Sequence, residues 1–432
     1  MLTNSQLYHN KLCIFAAFNF VIVLFWSMSP YIRWLVPSEL ALFLLLASTM
    51  ISTLSLKQYV PECLCLNETK KIILVSIICF VIYFTTPLVH TMRWGHFIYF
   101  LIFMFIVPLN NLIIFKGYTY LRKLFIFLSI VALLYWILNY FKIPLLYYTY
   151  ILEDRGLNSG DNYRIYGLAL SLYRGSAPIG GGLERICSVF GEPGHYAIYI
   201  SFILAIDKFR FNRVGNLILF TIGCLTFSTA YYGLMTMGIM YRIVLEKGVG
   251  KGVKNVLLII IGLLFLVIIF GGNNFFYTAS NRIFEDREVD NIVDLVENRA
   301  SNETKEIYSD FLNSGKLLIG NGYDERPLQI TNWRGFIYQF GVIGVLITLF
   351  LILSIIKKVD LLYFTLLLSM ILLVALHRSY QMYSITFYLL AFTAVCVNTV
   401  ERKYIIYKND SINVTKLSLI HISEPTRLAL IS

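Results

Sequence analysis

Long apolar runs, separated by short polar clusters, follow one another from the first twenty residues to about residue 400. A helix that crosses a bilayer needs about 20 mostly apolar residues. Runs near 12–29, 35–56, 72–90, 96–115, 123–141, 186–206, 214–229, 231–246, 255–272, 336–356, 359–376 and 380–399 meet or approach that length. The pattern predicts an all-α polytopic integral membrane protein of about twelve transmembrane helices. Two long hydrophilic stretches interrupt the series, at 142–185 and 273–335. In the second, Ile292, Leu295, Val296, Ile307 and Phe311 recur at near-helical spacing, which predicts an amphipathic helix there. The chain thus divides into transmembrane helices over 1–141, a first large loop over 142–185, helices over 186–272, a second large loop over 273–335, helices over 336–400 and a tail over 401–432. No internal repeat is visible.

Composition agrees with that pattern. The 432 residues are 58% hydrophobic and 14% charged, against about 25% charged in a soluble domain. The net charge of +11 could signal nucleic acid, but its distribution argues against that partner. With the N-terminus inside, nineteen basic residues fall in the inner segments, from Lys11 through Lys70, Arg122, Arg210 and Lys251 to Lys408. The short outer loops hold only Arg33, Arg93 and Arg378. This is the positive-inside asymmetry. It places both termini in the cytoplasm and both large loops on the outer side. The first apolar run simply joins the series, so no cleavable signal peptide is expected. Residues 417–432 resemble the translated read-through of a sequencing adapter and carry no functional expectation.

Motifs for several chemistries are absent. There is no G-x-x-x-x-G-K-[ST], no H-E-x-x-H and no C-x-x-C, so NTP hydrolysis and zinc chemistry have no support, and no metal or other cofactor is expected. Of the seven cysteines only Cys187 lies near an outer loop, so no outer disulfide framework is expected.

The most informative segment runs from Arg185 through Ser188-Val-Phe-Gly-Glu192-Pro193-Gly-His195. A residue before proline avoids the helical region, and proline suits the first helical position. A helix over Pro193–Ile206 would span about 21 Å, short of the roughly 30 Å hydrocarbon core. Either the helix starts inside the membrane or Ser188–Phe190 completes the crossing by another path. Glu192 and His195 would then line a cavity as catalytic candidates, with Arg185 beside them as a substrate ligand. Arginine is the preferred bidentate ligand of phosphate, which adds Arg282, Arg299 and Arg334 in the second large loop and Arg378 in a short outer loop beside His377 and Tyr380. Gly320-Asn321-Gly322 offers backbone N–H groups and positive φ for close approach of an anion or a sugar.

Three landmarks together resemble a family, the bacterial O-antigen polymerases (Wzy type) of the O-antigen ligase and polymerase superfamily. They are Arg185…Ser188-Val-Phe-Gly-Glu192-Pro193 entering a span, Leu318-Ile-Gly320-Asn-Gly322 late in the second large loop, and Phe340-Gly341-x-x-Gly344 in the span that follows. The polar-broken hairpin from Phe227 to Gly233 is similar as well. Some members carry Arg-x(10)-Gly in both large loops; Arg164 and Gly175 have that spacing here, and no arginine of the second loop does. The resemblance implies a GT-C-like architecture in the bacterial inner membrane, with periplasmic large loops. It implies metal-independent transfer of a glycan from undecaprenyl pyrophosphate onto the next lipid-linked oligosaccharide repeat unit, making O-antigen or capsular polysaccharide. It also implies a chain-length regulator and a flippase as partners. A ligase that moves the glycan to lipid A core or protein is the nearest rival, although the second large loop holds no histidine of the ligase type. A transporter is the rival from another class; it would spread charges through many helices and show repeats.

Overall fold

The computed structural model describes the backbone of residues 4–29, 38–85, 94–141, 143–151, 161–174, 177–178, 185–246, 250, 254, 256–257, 302–321, 333–377 and 385–417. Helices dominate. They are α1 (Asn4–Met28), α2 (Ser38–Tyr59), α3 (Leu66–Thr85), α4 (Trp94–Ile106), α5 (Asn111–Tyr140), α6 (Pro193–Ile206), α7 (Val214–Cys224), α8 (Thr229–Leu245), α9 (Asn302–Asn313), α10 (Trp333–Ile356), α11 (Leu361–His377) and α12 (Ile385–Leu417). Among the described residues, four stretches are long and apolar enough to cross a membrane: Asn10–Met28, Glu39–Tyr59, Asn111–Asn139 and Arg334–Ile356. Shorter apolar helices include Pro193–Ile206 and Val214–Cys224.

The helices carry apolar residues on their exposed faces as well as in the core. On α2 the exposed positions include Leu40, Phe43, Leu44, Ile51 and Leu54, spaced along one helical face. The opposite face buries Leu42, Leu45 and Leu56 with the polar Thr49, Ser52 and Thr53. Thr49 donates to its own helix at Leu45 O and Thr53 to Phe105 O of α4. Water does not tolerate so continuous an apolar surface, whereas hydrocarbon does. The chain is a membrane protein by this surface as well as by its helices.

Two local features depart from the sequence pattern. The run 96–115 is not one helix. Pro108 lies in the turn after α4, and Asn110 caps α5 by accepting from Leu112 N at 3.0 Å. Lys116, Arg122 and Lys123 therefore lie on α5, whose helix begins well before the expected 123. The second departure is a small antiparallel sheet inside an otherwise helical fold: β1 (Tyr148–Ile151), β2 (Asp161–Ile165), β3 (Leu170–Arg174) and β4 (Ala177–Pro178), in that order. Tyr148 pairs with Ile165 and Tyr163 with Leu172. Alternation fixes its inner face, since Tyr163 and Ile165 are buried while Arg164 between them is partly exposed.

Charged residues close one end of the bundle. Asp207, at the end of α6, sits 2.6 Å from Arg122 and 3.5 Å from Arg213 and accepts from Tyr118 Oη at 2.9 Å. Arg210 holds Glu401 through two parallel hydrogen bonds, and Lys208 lies 3.3 Å from the same carboxylate. Arg402 pairs with Asp360. Burial alone would raise the Glu401 carboxyl, but Arg210 and Lys208 outweigh it and hold it below the ordinary glutamate value. The sheet stands at the opposite end of α5 and α6.

Candidate functional site

Helix α6 begins at Pro193, as the proline rule predicts, with Glu192 at the cap position in extended backbone (φ −142°, ψ 145°). Ser188–Phe190 do not extend the helix. Ser188 takes a positive φ of 53°, and Phe190 N turns back to Cys187 O at 3.0 Å. Residues 186–191 are nevertheless buried. A buried irregular backbone has to find its hydrogen bonds in the protein, and this one does. Ser188 O accepts from Leu170 N of the sheet (2.7 Å), Val189 O from Ser29 Oγ (2.8 Å) and Gly191 O from Tyr163 Oη (2.8 Å). The Cys187 thiol donates to Leu170 O. Phe190 fills the space below, stacked on Tyr196 with centroids 4.9 Å apart and packed against Phe25 and Phe125.

Within α6 every residue is buried except His195. Glu192, just before the helix, is partly exposed too and makes no capping hydrogen bond. Two polar side chains thus keep contact with open space at the start of a helix that is otherwise sealed. The positive end of the helix dipole favours negative charge at that point.

Arg185 ties this segment to the turn between α7 and α8. Its Nε donates to Thr226 O at 2.8 Å and its Nη2 to Phe227 O at 3.1 Å. Phe227 holds a positive φ of 49° there. Two of the sequence landmarks are therefore in direct contact. Through these carbonyls the guanidinium joins the two broken elements, as well as taking any role it has toward an anion.

A second cluster forms around α9 and the start of α10. Of the expected amphipathic helix, Ile292, Leu295 and Val296 lie outside the described residues, while α9 turns Ile307 and Phe311 inward; Tyr308 joins them, and all three pack with Tyr338 and Ile337 of α10. Arg334 lies over the Tyr308 ring at 5.7 Å. Burial raises the Tyr308 phenol, and Arg334 pulls it part of the way back. Behind it, α10 is kinked at Gly341 (φ 63°, ψ −177°), a conformation that essentially only glycine holds. The turn Leu318–Asn321 docks into that kink. Asn321 N donates to Tyr338 O (2.7 Å), Val342 N to Leu317 O (3.0 Å) and Ile343 N to Leu318 O (3.1 Å). A methyl group on Gly320 would stand 2.3 Å from Gln339 O, and one on Gly341 2.3 Å from Leu318 O.

This corrects the expectation for Gly320 and Asn321. Their N–H groups are not left for an anion: Gly320 N donates to Lys316 O and Asn321 N to Tyr338 O. The positive φ of Gly320 serves close backbone approach inside the protein.

Arg164, on β2, lies over the Tyr147 ring at 4.7 Å. It stands on the sheet that supports residues 188–191, not beside Glu192 in sequence. Gly175, Arg282, Arg299, Gly322, Arg378 and Tyr380 lie outside the described residues, and of His377 only the backbone, at the end of α11, is described. The structure thus brings Arg185, Glu192 and His195 into one segment and Gly320 and Arg334 into another. The helices carrying the two, α6 and α10, both pack on α12. Sequence reasoning missed Ser29, Tyr163 and Tyr308, whose partners are far away in the chain. Among the described residues, no group of three or more His, Cys, Asp or Glu could hold a metal ion. Compared with protein-family models, with curated proteins and with solved structures, the chain matches none.

Proposed function

We propose that this chain is a polymerase of lipid-linked oligosaccharide repeat units, with about twelve transmembrane helices and with its sheet end and second large loop on the outer side of the bacterial inner membrane. The observation that carries the reading is the buried break before α6, which leaves Glu192 and His195 as the open polar positions of a sealed helix. A bilayer protein keeps irregular backbone at depth only where it is buried in protein or lines a cavity. Partly exposed ionisable groups at such a break favour the cavity.

The chemistry follows from the substrate class. A glycan leaves pyrophosphate when the terminal hydroxyl of the next repeat unit attacks its anomeric carbon. The acceptor hydroxyl loses a proton in that step, and Glu192 is the base in reach of the open face, with His195 second. Pyrophosphate departs with developing negative charge, which guanidinium groups stabilise. Arg185 and Arg334 supply two, and Arg299 and Arg378 are the further candidates. The partners are then the undecaprenyl-pyrophosphate-linked oligosaccharides, the bilayer, a flippase and a chain-length regulator. No metal enters the scheme.

Deleting the gene and displaying the surface glycan tests the proposal. A lost ladder with a single capped repeat retained supports it. A ladder kept on the carrier lipid but missing from lipid A points to a ligase, and absence of flipped units to a transporter. Glu192→Gln and Arg185→Ala, at normal membrane abundance, should each abolish or shorten the ladder; a full ladder in both removes the assigned site.

A further inference from the structure

The sheet does more than cover the break before α6: it also reaches back along α5. The ring of Tyr166, at the start of the β2–β3 turn, lies 4.2 Å from that of Tyr135, and Tyr147 lies 5.5 Å from Tyr166. Tyr135 is five residues before Tyr140, where α5 ends, so it stands about 7 Å down the helix axis at 1.5 Å per residue. The hairpin turn, closed by Tyr166 N donating to Ala169 O at 2.8 Å, therefore stands beside the last turns of α5 and not above them. At that level α5 itself exposes Leu134, Ile137 and Leu138, the continuation of its lipid-facing surface.

The surface joined to this face is apolar. Leu146 is 99% exposed, Phe141 66% and Leu168, at the hairpin tip, 44%; Tyr147 and Tyr148 are exposed as well. No acid occurs from Phe141 to Ile151. Residues 143–147 form no helix or strand. Such backbone needs water for its polar groups, so it belongs in the headgroup layer and not in the hydrocarbon. Tyrosine and arginine suit that layer, where an apolar body meets a polar tip. Length, depth, exposure and composition agree on one occupant.

We infer that Phe141, residues 143–148 and the β2–β3 tip form an interfacial anchor that rests in the headgroup layer of the leaflet on the sheet side. Leu146 and Leu168 point into the upper acyl region, and Tyr147, Tyr148 and Arg164 lie at the level of the phosphates. The anchor holds the sheet, and through Tyr163 and Leu170 the irregular segment 188–191, at a fixed depth. This role depends on the chain being a membrane protein and not on its being a glycosyltransferase.

Site-directed spin labelling tests it. Leu146→Cys and Leu168→Cys are labelled in the full-length protein in nanodiscs of phosphatidylethanolamine and phosphatidylglycerol. Ser309→Cys, on the exposed face of α9, serves as the aqueous reference, and the signal of the unsubstituted protein is subtracted. Leu146 is so exposed that its replacement removes no packing. Both labels should be several-fold less accessible to a nickel chelate than the reference and more accessible to oxygen. Nickel access equal to that at Ser309 overturns the anchor. If an added neutral oligosaccharide then immobilises the labels, the patch is a saccharide platform in water and not a membrane contact.

Discussion

The two ends of α6 solve the same problem in opposite ways. At its C-terminal end a buried carboxylate, Asp207, meets Arg122, Arg213 and Tyr118, and the adjoining turn is held by Arg210, Lys208 and Glu401. Charges there are matched and the end is closed. At its N-terminal end the backbone itself is irregular, its carbonyls are met by the neutral donors Ser29, Tyr163 and Leu170 N, and two ionisable side chains stay partly open. A fold that needed only stability could have used the first solution twice. The second tolerates a helix break that costs stability and leaves chemistry accessible, and that is where function is expected.

The comparison predicts a ranking of substitutions. The largest loss should come from Gly341→Ala, which forces a side chain into a glycine-only conformation and onto Leu318 O. More than about 3 kcal/mol should be lost, read as a sharp fall in melting temperature in detergent. Asp207→Ala comes next. Removing one partner of a buried ion pair strands the other, at about 3 kcal/mol, and the same melt should show it. Ser29→Ala leaves Val189 O buried and unmet and should cost about 1–2 kcal/mol, opening the break without touching the closed end.

Acid should loosen the closed end selectively. Glu401 is held below its ordinary value in the folded state. Its stabilising contribution is therefore fully present above the unfolded value, about 4.3, and fades as pH falls through the lower folded value. Melting temperature followed from pH 7 to pH 3.5 should drop, and Glu401→Gln should flatten the slope. Glu192→Gln keeps the shape of a partly exposed side chain and should change stability least, by less than about 0.5 kcal/mol; its effect should appear in the glycan ladder.

What the sequence disclosed follows the range of the interactions. Pro193 acts on its neighbours, so the start of α6 was legible, as was the inward face of α9 from Ile307 and Phe311. Pro108 and Asn110 carried an equally local signal for the break before α5, but the long apolar run around them obscured it. The sheet was hidden because its strands are five residues or fewer and give little alternation to read. The contacts between Gly320 and Gly341, Arg185 and Phe227, or Arg210 and Glu401 join residues that no local pattern connects. The glycines were visible as landmarks, yet their purpose, backbone against backbone, became legible only in three dimensions.

The account rests on the start of α6 opening to water on the outer side. Intact spheroplasts carrying His195→Cys, treated with a membrane-impermeant maleimide, measure that opening directly. Labelling of His195→Cys above the level of the unsubstituted protein, without permeabilisation, is the predicted result. A residue that stays unlabelled until the membrane is permeabilised, at normal protein abundance, would place that end of the helix in the cytosol and contradict the account.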